Sequence, residues 1–266
     1  TFINAPSTWP WSALSQVMLG VDPAPLAITE IMYQPRPPSG ATELGYAASD
    51  FEFIEIHNTR ASACNLVGVQ FLDGVKFDFT SGNTLTLGAG GYGVVVRNLN
   101  AFKARYPNWA SLNVLGTFTG QLNNSGEKLK LGYAPTNMLP LVSFDYEADW
   151  YPSTAGEGFS LVLNNPQSAP STWDNKSAWR PSSAPDGSPG AANPALAYPQ
   201  GTVVINEVLS HQDTDNPGDW IELHNTSSNS INIAGWFLSD SRGTLKNPAI
   251  PAGTQIPANG YVVFTE

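Results

Sequence analysis

Apolar and polar residues alternate along two segments that have nearly the same sequence, residues 53–59 and residues 220–226. Each segment runs aromatic, aliphatic, glutamate, aliphatic, histidine, asparagine and threonine, in that order. A period of two predicts a β-strand with one buried face. The closing Asn-Thr predicts a turn, because a short Asn side chain can bond to its own backbone two residues further on.

The similarity between the two segments extends along the chain in both directions. Residues 28–32 are similar to residues 205–209. Residues 91–96 are similar to residues 260–264, at a slightly different spacing. Four pairs keep one constant spacing: Glu55 and Glu222, Asn65 and Asn232, Gly68 and Gly235, and Asp73 and Asp240. A repeated unit of this length predicts tandem β domains and disfavours both a solenoid of short repeats and a one-pocket enzyme.

The second copy is shorter than the first. After Val96 the first copy continues with apolar segments such as residues 141–146 and 158–163, whereas the second ends soon after Phe264. A β-sandwich without its last strands exposes an apolar face and an open edge, which favours pairing with another chain. We therefore expect the 266-residue sequence to be a piece of a longer protein.

The pattern divides the sequence into four parts. They are an N-terminal arm, or the last strand of a preceding β domain, at residues 1–22; a β-sandwich at 23–196; a linker at 197–201; and an incomplete β-sandwich at 202–266. One helix is predicted within the first sandwich, at residues 100–106. Asn100 can cap this helix and Pro107 ends it. Phe102 and Tyr106, four residues apart, share one of its faces.

Composition fits an all-β protein and limits its partners. Only 13% of the residues are charged, while glycine (24) and proline (22) are abundant, as in proteins with many short strands and tight turns. The net charge of −10 disfavours nucleic acid and anionic membranes as partners. No apolar run approaches the ~20 residues that a membrane-spanning helix needs, so we expect no membrane insertion. The single cysteine, Cys64, excludes an internal disulfide.

The order of the motifs resembles a known family. Both copies contain Ile-(Thr/Asn)-Glu-(Ile/Val), then (Phe/Trp)-Ile-Glu-(Ile/Leu)-His-Asn-Thr, then Asn-(Leu/Ile)-x-Gly and Gly-Tyr. This series is similar to the lamin tail domain, an immunoglobulin-like β-sandwich of nuclear lamins and of many bacterial surface or secreted proteins. The resemblance covers residues 24–195 and again 202–266. It implies tandem immunoglobulin-like β-sandwich modules, the second of them truncated.

The first copy looks like the bacterial type of this domain. The similarity rests on residues 101–107, 122–127 and 156–161, and on an ending formed by residues 179–182 and 187–193. The resemblance implies a module attached to a larger secreted or cell-surface protein, such as a secreted hydrolase or a protein with a spore-coat-type kinase domain.

Two glutamates on predicted strands, Glu30 and Glu207, are candidates for a structural or a metal-binding role. Each is expected on the same face as a neighbouring isoleucine, where an unpaired carboxylate would be costly to bury. The favoured interpretation is that each accepts backbone N–H bonds from a neighbouring loop and holds that loop. The alternative is a metal ligand.

A glutamate and a histidine two residues apart form a second candidate, Glu55 with His57 and Glu222 with His224. Such a pair shares one strand face and could bind a divalent metal or act as an acid–base pair. No third ligand is evident in the sequence. The favoured interpretation is therefore a solvated strand face with a cross-strand hydrogen bond.

An acidic segment near the start of the second copy is the candidate cation site. Asp213, Asp215 and Asp219 could supply the oxygen ligands that calcium prefers. Pro217 interrupts the alternation of an EF-hand loop, and the first copy has no equivalent, so an acidic turn is favoured. We predict no cofactor, with calcium as the alternative.

The sequence favours a binding or spacing role over catalysis. It lacks Gly-x-Ser-x-Gly, His-Glu-x-x-His, phosphate-loop and Rossmann motifs, so no catalytic residues and no enzyme are predicted. The predicted function is a non-catalytic extracellular or cell-surface module for adhesion, spacing or targeting, with a protein or a surface polysaccharide as partner. A structural subunit of a surface filament or layer, assembling through the incomplete second copy, is one alternative.

The other alternative is a carbohydrate-binding module. It predicts exposed aromatic residues in a shallow groove, with Trp150 or Trp173 as candidates. Trp220 and Trp236 fall at positions that Phe53 and a valine hold in the first copy, which predicts that both tryptophans lie in the core.

Overall fold

The computed structural model describes residues 26–82, 84–133, 140–199, 201–210, 218–239 and 249–265. We call residues 26–199 the first unit and residues 201–265 the second unit. The predicted arm at residues 1–22 lies outside the described residues. Regular structure is mostly β-strand, with one α-helix among the described residues, so the all-β class is confirmed.

The first unit contains strands that are joined by turns, longer loops and one helix. In chain order these are β1 (Leu26–Met32), β2 (Phe53–Asn58), β3 (Cys64–Asn65), β4 (Val69–Asp73), β5 (Thr86–Leu87), β6 (Tyr92–Val96), α1 (Leu99–Arg105), β7 (Val114–Thr117), β8 (Gly126–Tyr133), β9 (Val142–Glu147), β10 (Leu161–Leu163) and β11 (Trp179–Pro181). Short 3₁₀ helices lie at Ala48–Phe51, Phe79–Ser81, Trp109–Ser111, Pro152–Thr154, Pro170–Thr172 and Lys176–Ala178. The second unit contains β12 (Val203–Leu209), β13 (Trp220–Asn225), β14 (Ile231–Asn232), β15 (Gln255–Ile256) and β16 (Tyr261–Thr265).

The first unit is an immunoglobulin-like β-sandwich. One sheet has the strand order β11-β10-β1-β2-β6-β7, and the facing sheet has the order β4-β8-β9. The core between the sheets is aliphatic and aromatic, as the alternation of the strands predicts. It includes Ile28, Ile31, Ile54, Ile56, Leu129, Leu131 and Phe144.

The outer face of the larger sheet is covered as well, which is why every residue of β1 is buried. Helix α1 packs there, and the rings of Phe102 and Phe53 meet edge to face with centroids 6.2 Å apart. A second apolar cluster therefore lies outside the sandwich core. Its buried members are Met32, Phe53, Val94, Val96 and Phe102.

The helix is present, but it begins earlier than the sequence predicts. It spans Leu99–Arg105, and its cap is Asn98, whose side chain accepts hydrogen bonds from two backbone N–H groups of the first turn. The prediction of Asn100 as the cap is wrong because Asn98 has the extended backbone of a cap, whereas Asn100 already lies in the first turn. Phe102 and Tyr106 share a face as predicted, with ring centroids 4.4 Å apart.

Strand pairing in the second unit follows the pattern of the first. The order β12-β13-β16 corresponds to β1-β2-β6, and the pair β14-β15 corresponds to β3-β5. Glu207 lies opposite Glu222 as Glu30 lies opposite Glu55, and a bulge precedes Glu30 and Glu207 at the same place. The core of the second unit is small. It consists of Leu223, Ile231, Ile233, Ile250 and Ile256.

Candidate functional site

Two glutamates meet across the central strands of the first unit. Glu30 on β1 and Glu55 on β2 are direct partners in the ladder, and both side chains are buried. A bulge at Thr29 reverses the alternation of β1, so Glu30 points away from the sandwich core that Ile28 enters. The expectation that Glu30 shares a face with Ile28 is therefore wrong, because the bulge adds a residue between them that no local sequence pattern indicates.

One loop, residues 186–191, covers this glutamate pair. The backbone N–H of Ser188 donates to Glu30 Oε1 over 3.0 Å, and the backbone N–H of Gly190 donates to Glu55 Oε2 over 2.7 Å. Ser160 Oγ, next to β10, also donates to Glu30 over 2.5 Å. The prediction that Glu30 holds a loop by accepting hydrogen bonds from the backbone N–H groups of that loop is confirmed.

The covering loop approaches Glu30 so closely that it needs a glycine. Gly187 has a φ of +69°, and a Cβ built on it would lie 1.9 Å from Glu30 Oε1. No side chain fits at that distance, and the positive φ is one that only glycine adopts readily. Loop and carboxylate are thus matched in shape as well as in hydrogen bonding.

Glu55 is not on the solvated face that the sequence suggested, since its residue is only 1% exposed. Thr29 Oγ1 donates to Glu55 Oε1 over 2.6 Å, and Gly190 donates to the other oxygen. Burial raises the pKa of both carboxyls, and the proximity of Glu30 raises the pKa of Glu55 further. Hydrogen bonds from Ser160 and Ser188, and then the charge of Arg180, partly offset the increase in the pKa of Glu30.

His57 does not form an acid–base pair with Glu55 in this arrangement. Its ring stacks on Tyr92 with centroids 4.2 Å apart and planes 7° from parallel. His224 and Tyr261 repeat this stack in the second unit, at 4.3 Å and 11°. Burial lowers the pKa of His57, which favours the neutral ring. Both histidines thus serve as packing partners of a tyrosine on the neighbouring strand.

The described residues contain no group of three or more His, Cys, Asp or Glu that could hold a metal ion. Of the predicted calcium ligands, Asp213 and Asp215 lie outside the described residues, and Asp219 lies exposed just before β13. No helix within the described residues is long and apolar enough to cross a membrane.

The corresponding glutamates of the second unit lie in a different environment. Glu207 is exposed, and Glu222 accepts a hydrogen bond from Asn206 Nδ2 over 2.7 Å. The prediction that Glu207 holds a loop is therefore wrong for the described residues, since the Glu207 carboxylate faces solvent.

Apolar residues of β12 are also uncovered. Ile205 is 60% exposed and Val208 is 53% exposed, whereas the corresponding Ile28 and Ile31 of β1 are fully buried. A groove of about 970 Å³ has two residues of this strand, Val203 and Ile205, in its lining. Trp236 and Phe237 also line it, and most of the other lining residues belong to the first unit. Phe159 and Pro181 contribute from the first unit.

The tryptophans are placed differently from their predicted positions. Trp150 and Trp173 are buried, so the shallow groove that the carbohydrate alternative predicted at these residues is wrong. Trp173 instead packs edge to face on Phe144. Trp236, predicted in the core, is 38% exposed, and Trp220 is half-buried. The Trp236 ring packs against Tyr198, with ring centroids 6.1 Å apart.

An ion-pair network links the helix to the covering loop, and sequence reasoning missed it. Arg105 donates from Nε and Nη2 to the two oxygens of Glu43, at 3.1 and 2.9 Å. Arg36 bridges Glu43 and Asp186, the first residue of the loop. Burial alone would raise the pKa of Glu43, but hydrogen bonds from Arg105 and Arg36 lower it to about 2. Arg105 and Asp186 lie far along the chain from Arg36 and Glu43, and residues 34–50 resemble an ordinary polar loop.

Comparison with known proteins identifies the domain type of the second unit. Residues 197–266 match the family model described as Lamin Tail Domain. No curated protein and no solved structure matches the chain. A lamin tail domain is an immunoglobulin-like, non-catalytic module, which agrees with the all-β fold and with a structural or binding unit. That the first unit is a second copy of the same domain, of the bacterial type, stays a prediction.

Proposed function

We propose that this chain is a non-catalytic module of a larger bacterial protein, secreted or held at the cell surface, and that it works by binding another protein. One observation carries this proposal: residues 197–266 match the family model of a non-catalytic, immunoglobulin-like domain, the lamin tail domain. An apolar groove with Trp236 and Phe237 in its lining supports a binding role, because exposed apolar surface along a groove is typical of a binding site.

The buried acid pair of the first unit supports a structural role better than a catalytic one. Glu30 and Glu55 accept hydrogen bonds from the loop that covers them, and that loop closes the approach to both carboxylates. An acid catalyst needs access to a substrate. We therefore propose no catalytic residue for this chain. That it binds no cofactor, with calcium at Asp213, Asp215 and Asp219 as the alternative, stays a prediction.

A protein partner fits the groove better than a polysaccharide does. Much of its lining is aliphatic or proline, as at Val203, Ile205 and Pro181. Sugar-binding sites combine aromatic faces with many hydrogen-bonding groups, because a polysaccharide carries hydroxyls at nearly every carbon. The net charge of −10 further supports a partner other than nucleic acid or an anionic membrane.

The test is binding of the chain, fused to a fluorescent protein, to cells of the source organism. A variant with Trp236→Ser and Phe237→Ser makes the groove polar, and Leu44→Ser is the matched control because Leu44 is exposed on the first unit. We expect the unmodified chain and the control to bind, and the groove variant to bind at least about tenfold less, since burying two aromatic side chains stabilises a complex by several kcal/mol.

Two treatments identify the partner class. Protease treatment of the cells should abolish binding if the partner is a protein. Competition by soluble cell-wall polysaccharide, with protease-resistant binding, would instead support the carbohydrate alternative. Binding that the groove variant retains in full, or no binding at all, would contradict the proposed function.

A further inference from the structure

The chain leaves the first unit at a point that an arginine holds in place. Arg180 lies on β11, in the six-stranded sheet, and its Nη1 donates to Asn193 Oδ1 over 3.1 Å. Its Nη2 donates to the backbone carbonyls of Asn193 and Pro194, over 3.3 and 3.1 Å. The backbone N–H of Ser183 also donates to Asn193 Oδ1. Asn193 and Pro194 are therefore held against the first sandwich, partly by hydrogen bonds from a charged donor, which are stronger than neutral ones.

The second unit holds the chain again only a few residues later. Tyr198 packs against the apolar core of the second unit, and its ring centroid lies 6.1 Å from that of Trp236. A turn follows, in which the backbone N–H of Thr202 donates to the Pro199 carbonyl over 3.1 Å. The N–H of Thr226, just after β13, then donates to the Thr202 carbonyl over 2.8 Å. By its contacts, Tyr198 thus belongs to the second unit.

Residues 195–197 connect these two anchored points. An extended chain spans at most ~3.6 Å per residue, so the Cα atoms of Pro194 and Tyr198 are at most about 14 Å apart. Pro194 fixes its own φ, and Pro199 restricts the backbone of Tyr198, the residue before it. Relative motion is the usual expectation for two domains in one chain. Here the connection is short, and it is held at both ends by contacts with the sandwich on that side.

We propose that the two anchors, Arg180 with Asn193 and Pro194 on one side and Tyr198 on the other, fix the second unit in one orientation relative to the first. The chain then acts as a rigid spacer and not as two freely jointed domains. A spacer of this kind presents the surfaces of both units at a fixed distance and angle, which favours simultaneous contact with one large partner. The inference goes beyond the proposed function, since it holds whichever partner is bound.

Residual dipolar couplings and ¹⁵N relaxation of the complete chain test this proposal by NMR. One alignment tensor should fit the backbone N–H couplings of both units, and both should show one rotational correlation time, since relaxation reports motion on this timescale. Units that move independently would each need a tensor of their own, and the smaller second unit would tumble faster. Two tensors in the unmodified chain would overturn the proposal.

An insertion of Gly-Ser-Gly-Ser between Ala195 and Leu196 lengthens the connection and leaves both anchors in place. Such sequences behave as flexible chains, so the second unit should then need a tensor of its own and its correlation time should fall. Unchanged chemical shifts in the cores of both units would show that each unit stays folded. A single tensor after the insertion would overturn the proposal, because the short connection would then not set the orientation.

Tyr198→Ser tests the second anchor. The variant loses the contact with Trp236 and the core of the second unit, so the single tensor should again be lost. Tyr261→Ser is the matched control, because Tyr261 is 51% exposed on β16 and its ring stacks on His224, so one tensor should remain.

The outcomes for Tyr198 separate the anchor from the fold. A single tensor in a folded Tyr198→Ser variant would overturn the anchoring role of Tyr198. If this variant unfolds the second unit, the insertion variant decides, since it changes no packed side chain of either sandwich. Two tensors in a chain that still attaches to cells would reject the rigid spacer and leave the proposed function standing.

Discussion

Glu30 and Glu55 lie directly opposite each other on adjacent strands, and a single loop donates backbone N–H bonds to both. Two buried carboxyls at one site are tolerated because hydrogen-bond donors surround them and because burial favours their neutral forms. The loop also carries Asp186, which belongs to the ion-pair network of Arg36 and Arg105. The acid pair therefore joins the centre of the sandwich to the loop that covers its outer face.

Stability of the first unit should decrease as the pH rises through neutrality. Burial raises the pKa of Glu30 to about 7 and, with the Glu30 charge, that of Glu55 to about 8. Between the ordinary value near 4.5 and these values, the folded protein holds protons that the unfolded chain has released. The free energy of unfolding should therefore fall from pH 5 to pH 8, by on the order of a few kcal/mol, in urea titrations.

The variant Glu55→Gln isolates the acid pair from other groups that titrate. Glu52, whose pKa burial raises to about 7, contributes in the same direction, while the lowered pKa of His57 contributes stability above pH 6.5 and so acts in the opposite direction. Removing one acid should reduce the pH dependence between pH 5 and pH 8 by about half. An unchanged slope in the variant would mean that Glu30 and Glu55 do not titrate in this range.

Gly187→Ala should destabilise the first unit strongly. The new Cβ would clash with Glu30 Oε1, so the loop would have to move and give up the Ser188 hydrogen bond. We expect a loss of at least about 2 kcal/mol in urea unfolding. Gly40→Ala is the matched control, because Gly40 has a similar φ of +75° but open space around it. Gly40→Ala should lower the free energy of unfolding by about 1 kcal/mol, from backbone strain alone. Equal losses of stability in the two variants would contradict the close fit between Gly187 and Glu30.

Arg105→Ala should cost about 3–5 kcal/mol, because it leaves Glu43 buried without its main partner. The Arg105 guanidinium is fully buried and lies 3.5 Å from the ring centre of Phe51, so packing is lost as well. Lys128→Ala breaks an exposed ion pair with Asp145 and should leave the unfolding midpoint unchanged. The unfolding midpoints of the two variants test this prediction. A midpoint that Arg105→Ala leaves unchanged would contradict it.

Asn58 and Asn225 are predicted to stabilise their own units separately. The Asn225 side-chain amide donates to the carbonyls of Asn229, Ile256 and Pro257, and Asn58 makes the corresponding three bonds in the first unit. Each change to alanine should cost about 1–3 kcal/mol, because buried carbonyls lose their donor. Limited proteolysis should show cleavage confined to the changed unit. Simultaneous loss of both units would show that they do not unfold separately.

The sequence was sufficient to predict what depends on local pattern. The alternation in residues 53–59 and 220–226 predicts β2 and β13, and the turn-forming asparagines lie at their ends. The role of Glu30 could be predicted because a carboxylate between aliphatic residues needs hydrogen-bond donors wherever the chain supplies them.

Features that depend on distant segments could not be predicted. Glu55 alternates with isoleucines like an exposed residue, but the loop that buries it contains Gly190 and lies far along the chain. Trp236 occupies a core position by alignment, yet its exposure depends on which strands cover it. The bulge at Thr29 likewise leaves no local signal, although it decides which face Glu30 occupies.

Hydrogen exchange of the backbone amides of β1 and β12 tests the central claim most directly, namely that one strand pattern is closed in the first unit and open in the second. The amides of Glu30 and Ile31 in β1 should exchange only through global unfolding of the first unit, because β10 and β2 pair with β1 on both sides of these residues. Those amides of β12 that point away from β13 should exchange at close to the rate of an unstructured peptide. Equal, high protection along both edges of β12 would contradict the open edge.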